Sequence, residues 1–292
     1  MITLISNGPF NLSLSLKVMA NFSSESITKT RILREAVRIG EKPIVLEAKQ
    51  IKKTSSLIKI LTAPDNTGNN EEIKEIAEWM LFTELDLLPF YNIAKRNRVL
   101  YPVIKELYGL KYIRPASLFE MMIIAITEQQ ISLSAAYRIR DRLVKRFGDE
   151  IYGLFAFPSA KSLSQASEKD LRSCGLSKRK SEYIRGVAQQ ISDGSLSISQ
   201  LKSLSDDDFR KTLTKIRGFG PWSANYILVR GLGRIDSVPA DDLAVRSVVG
   251  KYLGKGEKMS ETQVLKAIKP FSPFRGLAVF YLLAYDRLHR KH

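Results

Sequence analysis

The N-terminal part of the chain alternates between apolar and polar residues. Every second residue from Phe10 to Val18 is apolar, which is the period of a strand with one buried face. Short apolar segments predict further strands at residues 32–39, 44–48 and 57–61, with a turn at residues 40–43. Together these segments predict a small antiparallel β-sheet.

Beyond the polar tract at residues 64–70, the spacing of apolar residues becomes helical. Ile73, Ala77 and Met80 lie one turn apart, as on the buried face of a helix. Ser117 and Glu120 have the spacing of a capping box, and the helix they begin runs to the polar segment 128–132. Further helices are predicted at residues 135–147, 180–191, 206–216, 221–232, 241–253 and 274–288. The predicted fold is α+β, with an antiparallel β domain plus a helix at residues 1–85 and a helical domain at residues 86–292.

The net charge is compatible with a nucleic-acid partner. The chain has 292 residues, and its 46 Lys and Arg against 30 Asp and Glu give a formal charge of +16. Such an excess suits binding to phosphates. It does not show that the charges share one face, so the charge permits a DNA partner without demonstrating one.

Cysteine and histidine are too scarce for several kinds of site. The single cysteine, Cys174, excludes a disulfide framework and a four-cysteine iron–sulfur cluster, and it indicates a reducing, cytoplasmic compartment. The two histidines, His289 and His292, lie in a basic tail, so zinc chemistry and a Ser-His-Asp triad lack their usual residues. No signal peptide and no apolar run long enough for a bilayer is found, so no membrane association is predicted.

A glycine hairpin, Gly218-Phe219-Gly220, precedes Pro221. Glycines allow unusual backbone angles and close approach of a phosphate, and proline is favoured as the first residue of a helix, whose free N–H groups can bind an anion. An isolated Gly-x-Gly is more often an ordinary turn between helices. The functional interpretation depends on the neighbouring residues.

Two acidic residues, Asp241 and Asp242, follow Pro239 at the predicted start of the next helix. The helix dipole favours negative charge there, and one aspartate can cap the helix. Capping alone would explain the pair. Their separation from the hairpin leaves room for one helix and a tight return, which would bring a carboxylate beside the hairpin.

Aromatic and polar residues near the hairpin have alternative interpretations. Trp222 and Tyr226 lie one helical turn apart, and such a pair is usually core, but it could also stack on an extruded base. The segment Gln129–Ser132 could be a plain helix end or a plug for the gap left by a flipped nucleotide. Lys178, Arg179 and Lys180 could form a solvated loop or contact phosphates.

At these residues the chain resembles the helix-hairpin-helix DNA glycosylases, and within them the alkylated-base branch, 3-methyladenine DNA glycosylase II. The segments that match, in order, are residues 9–12, 128–132, 175–183, 218–226, 239–243 and 273–275. Because they span nearly the whole chain in order, they are more specific than any single motif.

The resemblance implies a monomeric, monofunctional enzyme that flips alkylated purines out of damaged double-stranded DNA and hydrolyses the N-glycosidic bond. It implies no protein partner and no required cofactor, although similar enzymes hold Na⁺ or K⁺ on hairpin carbonyls, here those of Thr214, Ile216 and Phe219. The resemblance implies that Asp242 is the catalytic carboxylate. It also implies that the walls of the base pocket are Trp222, Tyr226 and Phe274. The DNA-binding residues it implies are Gly218, Phe219, Gly220, Gln129, Gln130, Ser132, Lys178 and Arg179, with Gln130 as the plug.

Two other functions remain as alternatives. A bifunctional glycosylase/lyase for oxidised guanine would attack through a lysine two residues after the second hairpin glycine, and that position is Trp222 here. A DNA-binding protein without catalysis would use the hairpin only for docking, and would not need the carboxylate of Asp242.

Overall fold

The N-terminal sheet has four antiparallel strands. A computed structural model describes residues 1–20, 32–52, 56–64 and 69–290, so part of the polar tract at 64–70 and His292 lie outside the described residues. The strands are β1 (Ile2–Ile5), β2 (Ile32–Ile39), β3 (Lys42–Gln50) and β4 (Leu57–Ala63), in the spatial order β1-β4-β3-β2. Ile39 pairs with Lys42, so the turn consists of Gly40 and Glu41. The three strands predicted at 32–39, 44–48 and 57–61 are confirmed.

The predicted strand at residues 10–18 is wrong, because this segment forms helix α1 (Leu12–Ala20). The side-chain oxygen of Asn11 accepts a hydrogen bond from the N–H of Leu14 at 3.0 Å and so caps the helix. Leu12 and Leu16, one turn apart, are both buried. When apolar residues occupy alternate positions, the pattern also contains the i, i+4 spacing of a helix, and leucine favours the helix. The remaining strand of the sheet is β1, which the alternation did not indicate.

The rest of the described chain is mostly helical. The predicted helices correspond to α2 (Asn70–Leu81), α5 (Leu118–Glu128), α6 (Leu133–Phe147), α9 (Lys178–Ser192), α11 (Asp206–Leu213), α12 (Pro221–Arg230), α13 (Leu243–Leu253) and α15 (Arg275–Leu288). Elements that the sequence analysis did not predict are α3 (Leu88–Ala94), α4 (Leu100–Glu106), α7 (Ala160–Gln165), α8 (Glu168–Ser173), α10 (Ile198–Ser203), α14 (Glu261–Ile268) and the short hairpin β5 (Glu150–Ile151) with β6 (Leu154–Phe155). The predicted α+β fold is confirmed.

Three hydrophobic clusters form the core. One lies between the sheet, α1 and α2, and includes Ile113 from beyond α4. A second joins α5 and α6 to α12, and a third joins α3 and α4 to α13–α15. The guanidinium of Arg38 on β2 donates to the carboxylate of Asp149 and to the carbonyl of Phe157, which ties the sheet to the helices. Within the described residues, no helix has the length and apolar character needed to cross a membrane.

Candidate active site

A cleft of about 2040 Å³ lies where the end of α5, the glycine hairpin and the starts of α12 and α13 meet. The hairpin follows α11, and α12 begins at Pro221, as the sequence predicted. Gly218 has φ of +105°, and a Cβ there would lie 2.6 Å from the ring of Tyr183, so this position requires glycine. The structure therefore brings the hairpin to the wall of an open cleft.

The second hairpin glycine differs from the first. Gly220 has φ of −112°, which other residues also adopt, so its backbone angle does not require glycine. A Cβ there would meet nothing within 4 Å, and the backbone is open to an approaching group. Between the glycines, the side chain of Phe219 is buried in the second cluster, so only its backbone can contact a ligand at the cleft.

Asp242 caps α13 and lines the cleft. One carboxylate oxygen, Oδ1, accepts hydrogen bonds from the N–H groups of Ala244 at 2.8 Å and Val245 at 3.1 Å. The other, Oδ2, accepts a hydrogen bond from the indole Nε1 of Trp222 at 2.8 Å. Both the capping role and the position beside the hairpin are thus present. The partners fix the carboxylate in place without neutralising it.

The two predicted pocket aromatics stack on each other. The ring centroids of Trp222 and Tyr226 are 5.0 Å apart, and the ring planes differ by 20°. Both residues line the cleft. Because the two rings cover each other's facing sides, a base can stack only on an outer face of the pair.

Phe274 lies elsewhere, so its predicted role as a pocket wall is not supported by the geometry. Its ring is 6.0 Å from that of Phe90 and packs against the third cluster. Among the described residues that line the cleft, Phe274 does not occur. The physical reason is its place just before α15, where its side chain packs toward the core.

Glu128 is a site residue that the sequence analysis did not single out. It ends α5, is 9% exposed, and accepts a hydrogen bond at Oε2 from the hydroxyl of Tyr226 at 2.8 Å. A guanidinium nitrogen of Arg140 lies 3.7 Å from its other oxygen, Oε1. Burial raises the pKa of Glu128, against the opposing effects of Arg140 and of the bond from Tyr226. The available signal was a carboxylate on an otherwise apolar helix face.

The polar segment after α5 contributes to the cleft in two ways. The side-chain amide of Gln129 donates to the carbonyl of Gly218 at 2.8 Å and to Ser223 Oγ at 3.1 Å, so Gln129 positions the hairpin. Gln130 is exposed at the cleft with φ of +54°. Ser132 caps α6 through its hydroxyl, which accepts from the N–H of Ala135. The side chain of Gln130 is therefore open to the cleft, as is that of Ile131.

The predicted basic loop is the first turn of α9, which Ser177 caps. The interpretation as a loop is wrong, because a serine followed by three long side chains makes a good helix start. Lys178 and Arg179 are exposed, but they are not among the described residues that line the cleft. Lys180 instead donates to the carbonyls of Thr127 and Gln129 at 2.8 and 2.7 Å, and so closes the end of α5.

Metal ligands do not cluster in the part of the chain that the structure describes. No group of three or more His, Cys, Asp or Glu side chains there could hold a metal ion. Among the described residues, the polar side chains that line the cleft carry carboxyl, amide, hydroxyl, guanidinium and ammonium groups.

Comparisons with known proteins agree with this geometry. A family model described as HhH-GPD superfamily base excision DNA repair protein matches residues 123–273. A DNA-3-methyladenine glycosylase of Bacillus subtilis is 30% identical over 282 residues, which cover 94% of this chain and 93% of that protein. The solved structure of a 3-methyladenine DNA glycosylase from Archaeoglobus fulgidus superposes with a TM-score of 0.88 at 25% identity and covers 100% of both chains. The Schizosaccharomyces pombe 3-methyladenine DNA glycosylase Mag1 in complex with abasic DNA has the same fold, with a TM-score of 0.61 at 24% identity, covering 70% of this chain and 98% of that one.

Proposed function

Because this chain belongs to the HhH-GPD superfamily of base excision DNA repair proteins, we propose that it is a DNA glycosylase. Its substrate is an alkylated purine in duplex DNA, which it extrudes and releases by hydrolysis of the N-glycosidic bond. The observation that carries this proposal is Asp242, whose carboxylate is held by Trp222 Nε1 and two backbone N–H groups beside an aromatic surface. The similarity to DNA-3-methyladenine glycosylases over nearly the whole chain supports it.

The reaction needs a fixed negative charge. As the bond between base and sugar breaks, positive charge develops on the deoxyribose, and the carboxylate of Asp242 stabilises it and orients the attacking water. A carboxylate that is already held in position does not have to reorganise during the reaction, which makes its stabilisation larger.

The base is held by stacking. Alkylation of a ring nitrogen makes a purine cationic, and the stacked faces of Trp222 and Tyr226 attract a cation by about 1–2 kcal/mol. A cationic base also leaves readily, so a cleft without histidine in its lining among the described residues can release it.

The glycine hairpin binds the phosphate backbone of the DNA. The backbone N–H groups near Gly220, at the start of α12, face an open approach that suits a phosphate. Gln130 fills the gap left by the extruded nucleotide, and Lys178 and Arg179 contact phosphates farther along the duplex. The enzyme acts as a monomer in the compartment that contains chromosomal DNA.

A monovalent cation would suit the hairpin. The carbonyls of Thr214, Ile216 and Phe219 lie in the segment between α11 and α12. The carbonyl oxygen of Ile216 accepts a hydrogen bond from the N–H of Phe219 at 3.1 Å, which leaves it a second lone pair. Na⁺ or K⁺ on these oxygens would add positive charge beside the bound phosphate.

The test is release of free base from methylated duplex DNA by the wild type and by Asp242→Asn. We expect Asp242→Asn to lose on the order of a hundredfold or more in single-turnover rate, with the fold retained because asparagine also caps helices. A wild type that releases no methylated purine would refute the proposal. Equal rates for the two proteins would favour a DNA-binding role without catalysis, and a borohydride-trapped covalent adduct would favour the lyase.

The salt dependence of DNA affinity tests phosphate binding separately from hydrolysis of the N-glycosidic bond. Each phosphate neutralised should contribute about 0.9 to the slope of log affinity against log salt concentration. Alanine at Lys178 and Arg179 should reduce this slope without changing the rate at saturating DNA. A slope that does not change would remove both residues from the interface.

A further inference from the structure

The cleft holds two carboxyl groups with different surroundings. Asp242 has both oxygens occupied by three donors of the chain. Glu128 has Oε2 occupied by Tyr226, while Arg140, the partner of Oε1, lies at 3.7 Å, beyond hydrogen-bonding distance. On the basis of the proposed function, we propose that Glu128 is a second catalytic carboxyl, a general acid that protonates a neutral purine as it leaves.

The surroundings of Glu128 favour its protonated form. It is 9% exposed at the end of an apolar helix, and this burial raises its pKa. The titratable groups that face it are Arg140 and Tyr137 from α6, Tyr226 and Arg230 from α12, Asp242 from the start of α13, and Lys180 from α9. Arg140 and Arg230 lower the pKa, but Asp242 raises it, and burial is the largest effect. A carboxyl whose pKa is raised by burial can act as a general acid.

The hydrogen bond from Tyr226 leaves the proton of Glu128 on its other oxygen. Burial raises the pKa of Tyr226 well above its usual value, so its hydroxyl stays protonated and remains a donor to Oε2. The proton of a neutral Glu128 then resides on Oε1. That oxygen makes no other hydrogen bond within the described residues, and Glu128 lines the cleft.

The aromatic stack connects the two carboxyls. Trp222 donates to Asp242, Tyr226 donates to Glu128, and their ring centroids are 5.0 Å apart. Both carboxyls line the same cleft, and the charge of Asp242 acts on Glu128. A nucleotide with its sugar at Asp242 therefore has its base near Glu128.

The proton transfer balances without an added reactant. The O–H bond of Glu128 breaks and an N–H bond forms at a purine ring nitrogen, while the bond from C1′ to the base breaks and its electron pair goes to the base. Water adds to C1′ and gives a proton to Asp242. Asp242 then loses this proton to solvent and Glu128 regains one, so that base and abasic sugar are the products.

The acid distinguishes two classes of substrate. A base made cationic by alkylation already carries the positive charge that helps it leave, whereas hypoxanthine is neutral and needs protonation. General acid catalysis contributes about 10² to 10⁴ in rate. Glu128 should therefore control excision of neutral purines and have little effect on cationic ones.

The experiment compares single-turnover release of hypoxanthine and of 7-methylguanine from duplex DNA. We expect Glu128→Gln to lose about a hundredfold on hypoxanthine and less than about threefold on 7-methylguanine, since its amide oxygen still accepts from Tyr226. The matched control is Glu120→Gln on the same helix, whose carboxyl accepts from the N–H of Ala116 and whose pKa burial also raises, to about 7. This control should retain both activities.

A role limited to positioning gives a different pattern. If Glu128 only holds the ring of Tyr226, then Glu128→Gln, which keeps an acceptor for the Tyr226 hydroxyl, should release both bases at the wild-type rate. In that case Glu128→Ala and Tyr226→Phe should slow both substrates equally, and this pattern overturns the proposal. The pH profile of the wild type needs no variant. The rate of hypoxanthine release should fall as pH rises through the pKa of Glu128, because the acid loses its proton. The rate of 7-methylguanine release should show no such decrease. A ratio of the two rates that does not change with pH contradicts the proposal.

The outcomes also separate this inference from the proposed function. A wild type that releases 7-methylguanine but no hypoxanthine overturns the acid role of Glu128 and leaves the glycosylase intact. A wild type that releases neither base overturns the glycosylase itself. The proposal is supported if Glu128→Gln loses the decrease of the hypoxanthine-release rate with rising pH while Glu120→Gln retains it.

Discussion

Lys111 and Glu128 are both buried ionisable side chains, but they lie in regions with different roles. Lys111, at the junction of the sheet and the helices, is fully buried, and its ammonium donates to Ser6 Oγ at 2.8 Å and to the carbonyls of Asn7 at 2.9 Å, Phe82 at 3.2 Å and Leu85. These hydrogen bonds all go to groups of the chain and hold the surrounding segments in place. The Oε2 atom of Glu128 accepts from Tyr226, while its Oε1 atom lies 3.7 Å from Arg140 and makes no hydrogen bond within the described residues. This second oxygen is therefore available for a substrate.

The largest expected effect concerns the structural role of Lys111. Lys111→Met removes the four hydrogen bonds of the ammonium to the hydroxyl of Ser6 and to three carbonyls, and we expect the free energy of unfolding to fall by about 3 kcal/mol. Base release below the melting temperature should be unchanged. Urea unfolding measures the stability, with exposed Lys105→Met on α4 as the control, which should stay within about 0.5 kcal/mol of the wild type. Equal stabilities for both variants would contradict a structural role for Lys111.

The next effect concerns the glycine that the fold requires. Gly218→Ala forces a non-glycine residue into φ of +105° and a clash with Tyr183, and we expect a loss of about 2 kcal/mol in stability. Because the hairpin must move, DNA affinity should fall as well. Thermal unfolding and a DNA-binding titration measure the two effects. A stable variant with unchanged affinity would show that the hairpin tolerates the added methyl group.

A smaller effect tests how Asp242 is held. Trp222→Phe keeps an aromatic ring but removes the Nε1 donor to Asp242 Oδ2. A hydrogen bond to a charged group is worth about 1.5–3 kcal/mol, so we expect roughly a tenfold loss in single-turnover rate on methylated DNA. DNA affinity should change little. If the rate is unaffected, the two backbone N–H groups alone suffice to position the carboxylate.

The smallest expected effect concerns Gly220, whose backbone is open to an approaching group. Gly220→Ala meets no atom within 4 Å and needs no unusual φ, so stability should change by less than about 0.5 kcal/mol. If a phosphate approaches this backbone closely, the methyl group should cost about 1 kcal/mol of binding, or about fivefold in Kd. Unfolding and DNA-binding curves for Gly218→Ala and Gly220→Ala form a matched pair. An unchanged Kd for Gly220→Ala would move the phosphate to another part of the hairpin.

Local chemistry explains which features could be predicted from the sequence. Gly218, Pro221 and Asp242 each impose a local conformation, so the hairpin, the start of α12 and the cap of α13 could be anticipated. The strands β2, β3 and β4 likewise have a regular period and a marked turn. These features depend on few residues that are close in the chain.

Other features depend on contacts between distant segments. The hydrogen bond from Tyr226 to Glu128 joins residues 98 positions apart, and no pattern in the sequence predicts it. Phe274 was expected at the cleft but packs on Phe90, because its orientation is set by the third cluster. The alternation at residues 10–18 fits either a strand or a helix, and the hydrogen bond from Leu14 to the side chain of Asn11 decides between them.

The amide of Gln129 joins the end of α5 to the carbonyl of Gly218, and Lys180 holds the same helix end from the other side. Gln130, the neighbour of Gln129, therefore sits at a fixed distance from the hairpin before any duplex arrives. If Gln130 enters the gap left by the extruded nucleotide and the hairpin binds a phosphate, as we propose, the DNA must fit this spacing at both points. A duplex that bends easily at a damaged pair would then fit it at a lower free-energy cost than an intact one.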